Sequence, residues 1–412
     1  MQRLNPDPEL DDLVRKLNSA AREAPEPPPG ESDEPDAGEK SAGPRPVRPR
    51  FVLGTRTPEG TEWLGALLGR ARAVHASDLF LVAGAPPVAR VNGRLAPLGT
   101  DAAPLYDGAT DLLCAALLPE ERREEAARLG TVDFSFRDPE LGRFRCNVHR
   151  ERGRWSAAVR LFPSALPELE ALNLPAGLAR FAELEHGLVL VTGPTGCGKS
   201  TTLAALVRRI LARRRVHLIT IEDPVEYEHA HPDSVVEHVE IGRDATGFAR
   251  ALRAALRQDP DVLLIGEMRD LESISIAITA AETGHLVLST LHTGDAPQSV
   301  HRILDGYPAN QMDAVRTQLS ISLAGVISQQ LLPRKDGQGR VPAVEVLLAT
   351  PAVRHLIRQG KVEQLRTQLT LERGAGMLPL DLSLAALVRD GLVDAAEARL
   401  RARVPEEFDR RK

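Results

Sequence analysis

The sequence predicts an α/β protein built on a mostly parallel sheet, with a smaller α+β module ahead of it and a helical region behind. Three observations carry this. Aliphatic runs at residues 188–192, 216–221, 262–265 and 286–289 alternate with helical patterns, the order expected of parallel strands joined by crossover helices. Hydrophobic residues make up 42% of the 412-residue chain but aromatics only 3%, so the core must be Leu, Val, Ile and Ala, as in strands buried on both faces. A glycine-rich loop follows the first aliphatic run and leads into a helical pattern.

Residues 1–56 read as an extension. Leu10, Leu13, Val14 and Leu17 follow i, i+3, i+4, i+7 spacing, which marks a short amphipathic helix with no core beside it. A fraying terminus is favoured over a docking helix, because helices this short are marginal alone. Residues 24–49, rich in Pro, Gly, Glu and Ser, read as a disordered linker.

Residues 57–165 read as the α+β module. Trp63, Leu67, Leu68 and Ala71 suggest an opening helix. Strand patterns at 78–82 and 88–91 are followed by the hairpin signal Asn92-Gly93. Two helical patterns lie between 107 and 129, and three strand patterns, 131–136, 143–148 and 155–162, complete an antiparallel sheet. The parallel-sheet domain occupies 166–349, and 350–412 is helical.

The net charge of −5 gives no general reason to expect nucleic acid or an anionic membrane as the main partner. Cys114, Cys146 and Cys197 are far apart and form no C-x-x-C pair, which argues against a disulfide framework and a thiolate zinc site and fits a reducing compartment. No apolar h-region follows the first residues, and no run approaches the ~18 apolar residues of a spanning helix. The expectation is a cytoplasmic protein that meets a membrane only through another protein.

Residues 193–200, Gly-Pro-Thr-Gly-Cys-Gly-Lys-Ser, fit G-x-x-x-x-G-K-[ST] between a strand pattern and a helical one. Gly193, Gly196 and Gly198 allow successive backbone N–H groups to turn toward an anion, and the helix N-terminus adds partial positive charge. Lys199 is expected to reach the β- and γ-phosphates of ATP, and Ser200 to bind Mg²⁺. The candidate nucleotide-binding set is Gly193, Pro194, Thr195, Gly196, Cys197, Gly198, Lys199, Ser200 and Thr201. Cys197 stands where a small polar residue is more usual and reads as neutral rather than redox-sensing.

Three strand ends supply further candidates. Residues 261–267 form an apolar run ending in Gly266-Glu267, where many phosphate-loop enzymes end in an Asp that orders the magnesium water. Glu267 is therefore the candidate to polarise the attacking water or hold the Mg²⁺ shell. Residues 219–226 end in Glu222 and Asp223, which should face the same crevice, since ligands bind at the carboxyl ends of parallel strands. Residues 283–292 carry a histidine at each end. His292 is the candidate to sense the γ-phosphate or stabilise charge in transfer, whereas His285 reads as structural.

Together these blocks resemble the secretion-ATPase superfamily, the motors of type II secretion, type IV pili and related machines. Residues 256–270 resemble its signature, 220–226 its "Asp box" and 280–293 its "His box". The likeness covers roughly residues 60–400 and is nearest to the pilus retraction branch. Assembly and secretion members usually carry a tetracysteine zinc insert, and no cysteine follows Cys197 here. Residues 352–359 resemble the retraction helix A-I-R-N-L-I-R-E, with substitutions at its second, fourth and eighth positions. Its Val353, Leu356 and Ile357 should pack inward. Arg354 and Arg358 share a face and are expected to contact an acidic partner or subunit.

The resemblance implies a RecA-like core preceded by a PAS-like domain. It also implies a homo-hexamer with nucleotide between subunits, Arg145 and Arg160 as arginine fingers, and work on an inner-membrane pilus platform protein. The expected function is an ATP-hydrolysing motor of pilus retraction. A retraction paralogue or an assembly or type II secretion ATPase stands as the alternative. A nucleic-acid motor wants stacking aromatics, and the chain has 3 Tyr, 9 Phe and 2 Trp. A non-hydrolysing regulatory paralogue conflicts with Lys199, Glu222 and Glu267 all being present.

Overall fold

The computed structural model describes residues 8–23, 56–99, 103–163, 165–229 and 233–411. The linker predicted at 24–49 lies outside the described residues. The chain forms two compact units, residues 1–164 and 165–412.

The first unit holds helices α1 (Pro8–Glu23), α2 (Pro58–Ala73), α3 (Asp107–Leu117) and α4 (Arg123–Leu129). Its strands are β1 (Asp78–Leu81), β2 (Val88–Val91), β3 (Arg94–Pro97), β4 (Thr131–Asp138), β5 (Gly142–Glu151) and β6 (Arg154–Leu161). They form one sheet in the order β3-β2-β1-β6-β5-β4, antiparallel throughout. Asn92 and Gly93 both take positive φ between β2 and β3, as a two-residue hairpin turn requires.

One expectation is overturned here. α1 is not a helix without a core: Val14 and Leu17 are fully buried in the same cluster as Leu67, Leu113 and Leu117. Asn18 adds two bonds to the segment ahead of α3, its Nδ2 donating to the Pro104 carbonyl at 2.9 Å and its Oδ1 accepting from the Tyr106 N–H at 2.7 Å. Burying two aliphatic side chains is worth about 3–6 kcal/mol, enough to hold a helix that propensity alone would not.

The second unit alternates strands and helices: β7 (Gly187–Thr192), α5 (Lys199–Arg213), β8 (His217–Glu222), β9 (Val235–Glu240), α6 (Phe248–Ala255), β10 (Val262–Ile265), α7 (Leu271–Glu282), β11 (Leu286–Leu291), α8 (Ala296–Leu304) and α9 (Met312–Ser322). Two long strands follow, β12 (Leu323–Pro333) and β13 (Arg340–Leu348), then α10 (Pro351–Arg358), α11 (Leu365–Leu371), α12 (Leu380–Arg389), α13 (Ala395–Arg401) and α14 (Pro405–Asp409). The seven-stranded sheet runs β13-β12-β7-β11-β10-β8-β9. All pairs are parallel except β12 with β13, so one antiparallel strand closes an otherwise parallel sheet. Every residue of β7, β10 and β11 is buried.

The helix at 351–358 forms as its spacing predicts, with Val353 and Ile357 fully buried and Leu356 packed against the same core. Its arginines do something else. Arg354 donates from Nε to the Ala349 carbonyl at 2.9 Å and from its guanidinium to the carbonyls of Ser320, at 2.6 Å, and Ile321. Arg358 reaches the Ser320 hydroxyl at 3.2 Å. Arg354 thus caps carbonyls at the C-terminus of α9, where the helix leaves them unpaired and favours positive charge. The two arginines tie α10 to α9.

Candidate active site

Register brings four strand ends together. Thr192 of β7 pairs with Leu291 of β11, Ser289 of β11 with Ile265 of β10, and Ile265 with Ile221 of β8. The residues immediately beyond or at these ends are Gly193, His292, Gly266-Glu267 and Glu222. The crevice at the carboxyl ends of parallel strands therefore collects the phosphate loop, both carboxylates and the histidine predicted for it.

The loop turns through Gly193, Gly196 and Gly198, at φ values of 140°, 78° and 92°. Gly198 is the left-handed residue ahead of α5, so the helix N-terminus opens directly at Lys199. Lys199 Nζ donates to the carbonyls of Gly193 at 2.8 Å and Pro194 at 3.3 Å, which places its ammonium across the loop. An anion seated there offers that ammonium a charge-assisted partner, stronger than a neutral carbonyl. Cys197 is buried, and burial pushes its thiol up, as fits a neutral packing role.

Ser200 and Glu222 line one pocket with Tyr227, His229, Gly266 and Thr290. Thr201 Oγ1 lies 3.0 Å from the Tyr227 hydroxyl, fixing the start of α5 to the segment after β8. Gly266 has little room for a side chain, since an added Cβ would stand 3.3 Å from Glu222 Cα. The acid that commonly ends this strand is displaced one residue, to Glu267. His229 stacks on His238 with ring centroids 5.8 Å apart; burial and the neighbouring His238 push it down to about 3, so it is neutral at physiological pH.

Glu267 is held at both oxygens. His292 Nε2 lies 3.0 Å from Oε1, and Arg269 Nε donates to Oε2 at 2.9 Å. The strand ends beneath it are locked by Thr290 Oγ1 donating to the Gly266 carbonyl at 2.6 Å. The loop after His292 is anchored by fully buried Asp295, whose Oδ1 caps α8 at the Gln298 N–H, 2.7 Å away. Its Oδ2 takes Arg403 at 2.8 Å and Arg366 at 3.1 Å, which ties the loop to the C-terminal helices. His285 bonds through Nδ1 to the Ala280 carbonyl at 3.0 Å, the structural role expected of it.

Arg145 and Arg160 belong to the first unit and face each other across β5 and β6. Arg160 Nε pairs with Asp78 Oδ1 at 3.0 Å and keeps about half its side chain exposed. Asp223 follows Glu222 directly, in the turn that ends β8.

Residues 158–376 match the family described as type II/IV secretion system protein. Over 342 residues the chain is 43% identical to the type IV pilus retraction ATPase PilT of Pseudomonas aeruginosa, covering 83% of this chain and 98% of that one. The chain belongs to the type II/IV secretion system protein family. Another relative, a twitching motility protein of Neisseria gonorrhoeae, is 50% identical to this secretion-family chain over 272 residues, 66% of this chain and 72% of that one. The crystal structure of the pilus retraction motor PilT with bound ADP matches it with a TM-score of 0.76 at 42% identity, covering 84% of this chain and 98% of that one. The fold is that of a secretion ATPase: a RecA-like, mostly parallel sheet behind a smaller α+β unit.

Reading motifs along this secretion-family chain missed four site residues. Arg269 lies inside the signature run, where no motif marks its contact with Glu267. Tyr227 lies just past the acidic one. Arg340 donates to the Gly196 carbonyl at 3.3 Å and Gln329 bonds to the Cys197 carbonyl. Both stand on strands that no local pattern announced.

Proposed function

We propose that this chain is an Mg²⁺-dependent ATPase, assembled as a ring of six, that powers retraction of type IV pili. One observation carries the reading: likeness to the P. aeruginosa retraction ATPase that runs through 98% of that protein's length. The lack of any cysteine after Cys197 supports it, because the zinc insert of assembly motors has no ligands here.

The oxygen donors fit a hard divalent cation. Ser200, which lines one pocket with Glu222, and Glu267 would hold Mg²⁺ with the nucleotide. Bound there, the ion neutralises phosphate charge. Lys199 and the loop N–H groups grip the β- and γ-phosphates. Glu267, fixed by His292 and Arg269, aligns and polarises the attacking water. His292 reports the γ-phosphate to Glu267 through their shared contact. Arg145 and Arg160 act as arginine fingers on a neighbouring subunit's nucleotide, Arg160 exchanging Asp78 for phosphate. Hydrolysis is coupled to domain closure, and the ring then turns or tilts a platform protein at the cytoplasmic face of the inner membrane. No helix among the described residues is long and apolar enough to cross a membrane.

The ring is tested by mass measurement in solution with a non-hydrolysable ATP analogue. The expected result is a hexamer. A strict monomer in every nucleotide state would refute the ring and the fingers acting in trans.

A further inference from the structure

β12 lies beside β7 in parallel register, with Ile327 against Val191 and Ser328 against Thr192. The next residue, Gln329, therefore stands beside Gly193, where β7 becomes the phosphate loop. Its side chain is buried under the loop at 3% exposure, and both ends of its amide are used. Nε2 donates to the Cys197 carbonyl at 2.6 Å, and Oε1 accepts from Thr202 Oγ1, in the first turn of α5, at 2.8 Å. Two of the loop's glycines pack directly against Gln329. A Cβ at Gly193 would stand 2.2 Å from the Gln329 carbonyl oxygen, and one at Gly198 would stand 2.8 Å from Gln329 Nε2.

The consequence lies in peptide geometry. In a trans peptide the C=O and the following N–H point in opposite directions. With the Cys197 carbonyl held back against Gln329, the Gly198 N–H is turned the other way, toward the mouth of the loop. Without that anchor the Cys197–Gly198 peptide is free to rotate, and a carbonyl dipole turned into the mouth repels an anion.

We infer that Gln329 is a positioning residue for nucleotide binding, fixing the Cys197–Gly198 peptide so that its N–H faces the phosphates. Thr202 orients the amide by donating to its oxygen. The inference rests on the nucleotide-binding reading of the loop, and it predicts an effect on affinity rather than on the chemical step.

The test uses full-length protein, titrated with MgADP and assayed for ATP turnover. Gln329→Leu is expected to weaken ADP binding and raise the KM for ATP about tenfold, the size of effect of a lost charge-facing donor, with kcat changed far less. Gln329→Glu keeps the shape. Its protonated carboxyl can still donate to the Cys197 carbonyl, but its carboxylate cannot. The ratio of variant to wild-type ADP affinity should therefore fall as pH rises between about 6 and 9, the range into which burial lifts a carboxyl. Thr202→Val should weaken binding in the same direction. The inference is overturned if Gln329→Leu binds ADP like wild type, or if Gln329→Glu is weaker by a factor that does not change with pH. Should Gln329→Leu fail to fold, the pH series on Gln329→Glu decides. Wild-type protein that binds no ADP would sink the nucleotide reading itself.

Discussion

Replacing Lys199 with alanine is expected to lower ATP turnover on the order of a thousandfold or more, the scale of losing a preorganised charge-stabilising group at a transferring phosphoryl. The ammonium already lies across the phosphate loop, bonded to the carbonyls of Gly193 and Pro194. Removing it leaves two carbonyl dipoles at the mouth with no cation between them and the phosphates. Nucleotide affinity should fall as well, because the grip on the β-phosphate is lost in ground and transition states alike. Steady-state turnover with an ADP titration measures both. Wild-type turnover in this variant would remove the site from residues 193–201.

Glu267→Gln is expected to lower kcat roughly 10²–10⁴-fold, the range for losing general-base assistance, while ADP affinity stays near wild type. The substitution keeps the shape and one acceptor oxygen for His292 or Arg269, so the strand end should hold its place. The neutral amide cannot polarise water as the carboxylate does. The comparison with Glu222→Gln is informative, since Glu222 shares its pocket with Ser200, whereas Glu267 is tied to Arg269 and His292. If Glu267→Gln turns over like wild type and Glu222→Gln does not, the water-activating role passes to Glu222.

The parts of this site that were legible in the sequence are those whose chemistry is local. A backbone anion nest needs glycines at fixed spacing next to a helix start, so residues 193–200 declared themselves. Aliphatic runs buried on both faces gave β7, β8, β10 and β11. The remaining strands of the second unit were hidden for physical reasons. α9 runs into β12 with no break between Ser322 and Leu323, so no turn signal marks the change of period. β13 carries Pro342, which argues against a strand unless it lies at an edge, as it does. β9 is an edge strand with exposed positions and no aliphatic run. Missing β12 meant missing Gln329, which reaches Cys197 across 132 residues of chain.

The same distinction explains what spacing missed on two helices. The periodicity of α1 gave its apolar face but not the Leu67 and Leu113 cluster that buries Val14 and Leu17. For Arg354, spacing gave the face of the helix. It did not give the end of α9, 33 residues earlier, that uses the guanidinium.

The central claim is that hydrolysis at this site withdraws pili, and the direct measurement is genetic. The gene is deleted in its source organism, surface pili are counted and twitching is scored. The strain is then complemented with wild type or with Lys199→Ala. The account predicts that the deletion strain keeps its pili and loses twitching, that wild type restores movement and that Lys199→Ala does not. A deletion strain with no pili, even when retraction is blocked by another lesion, would contradict it and make this chain an assembly motor.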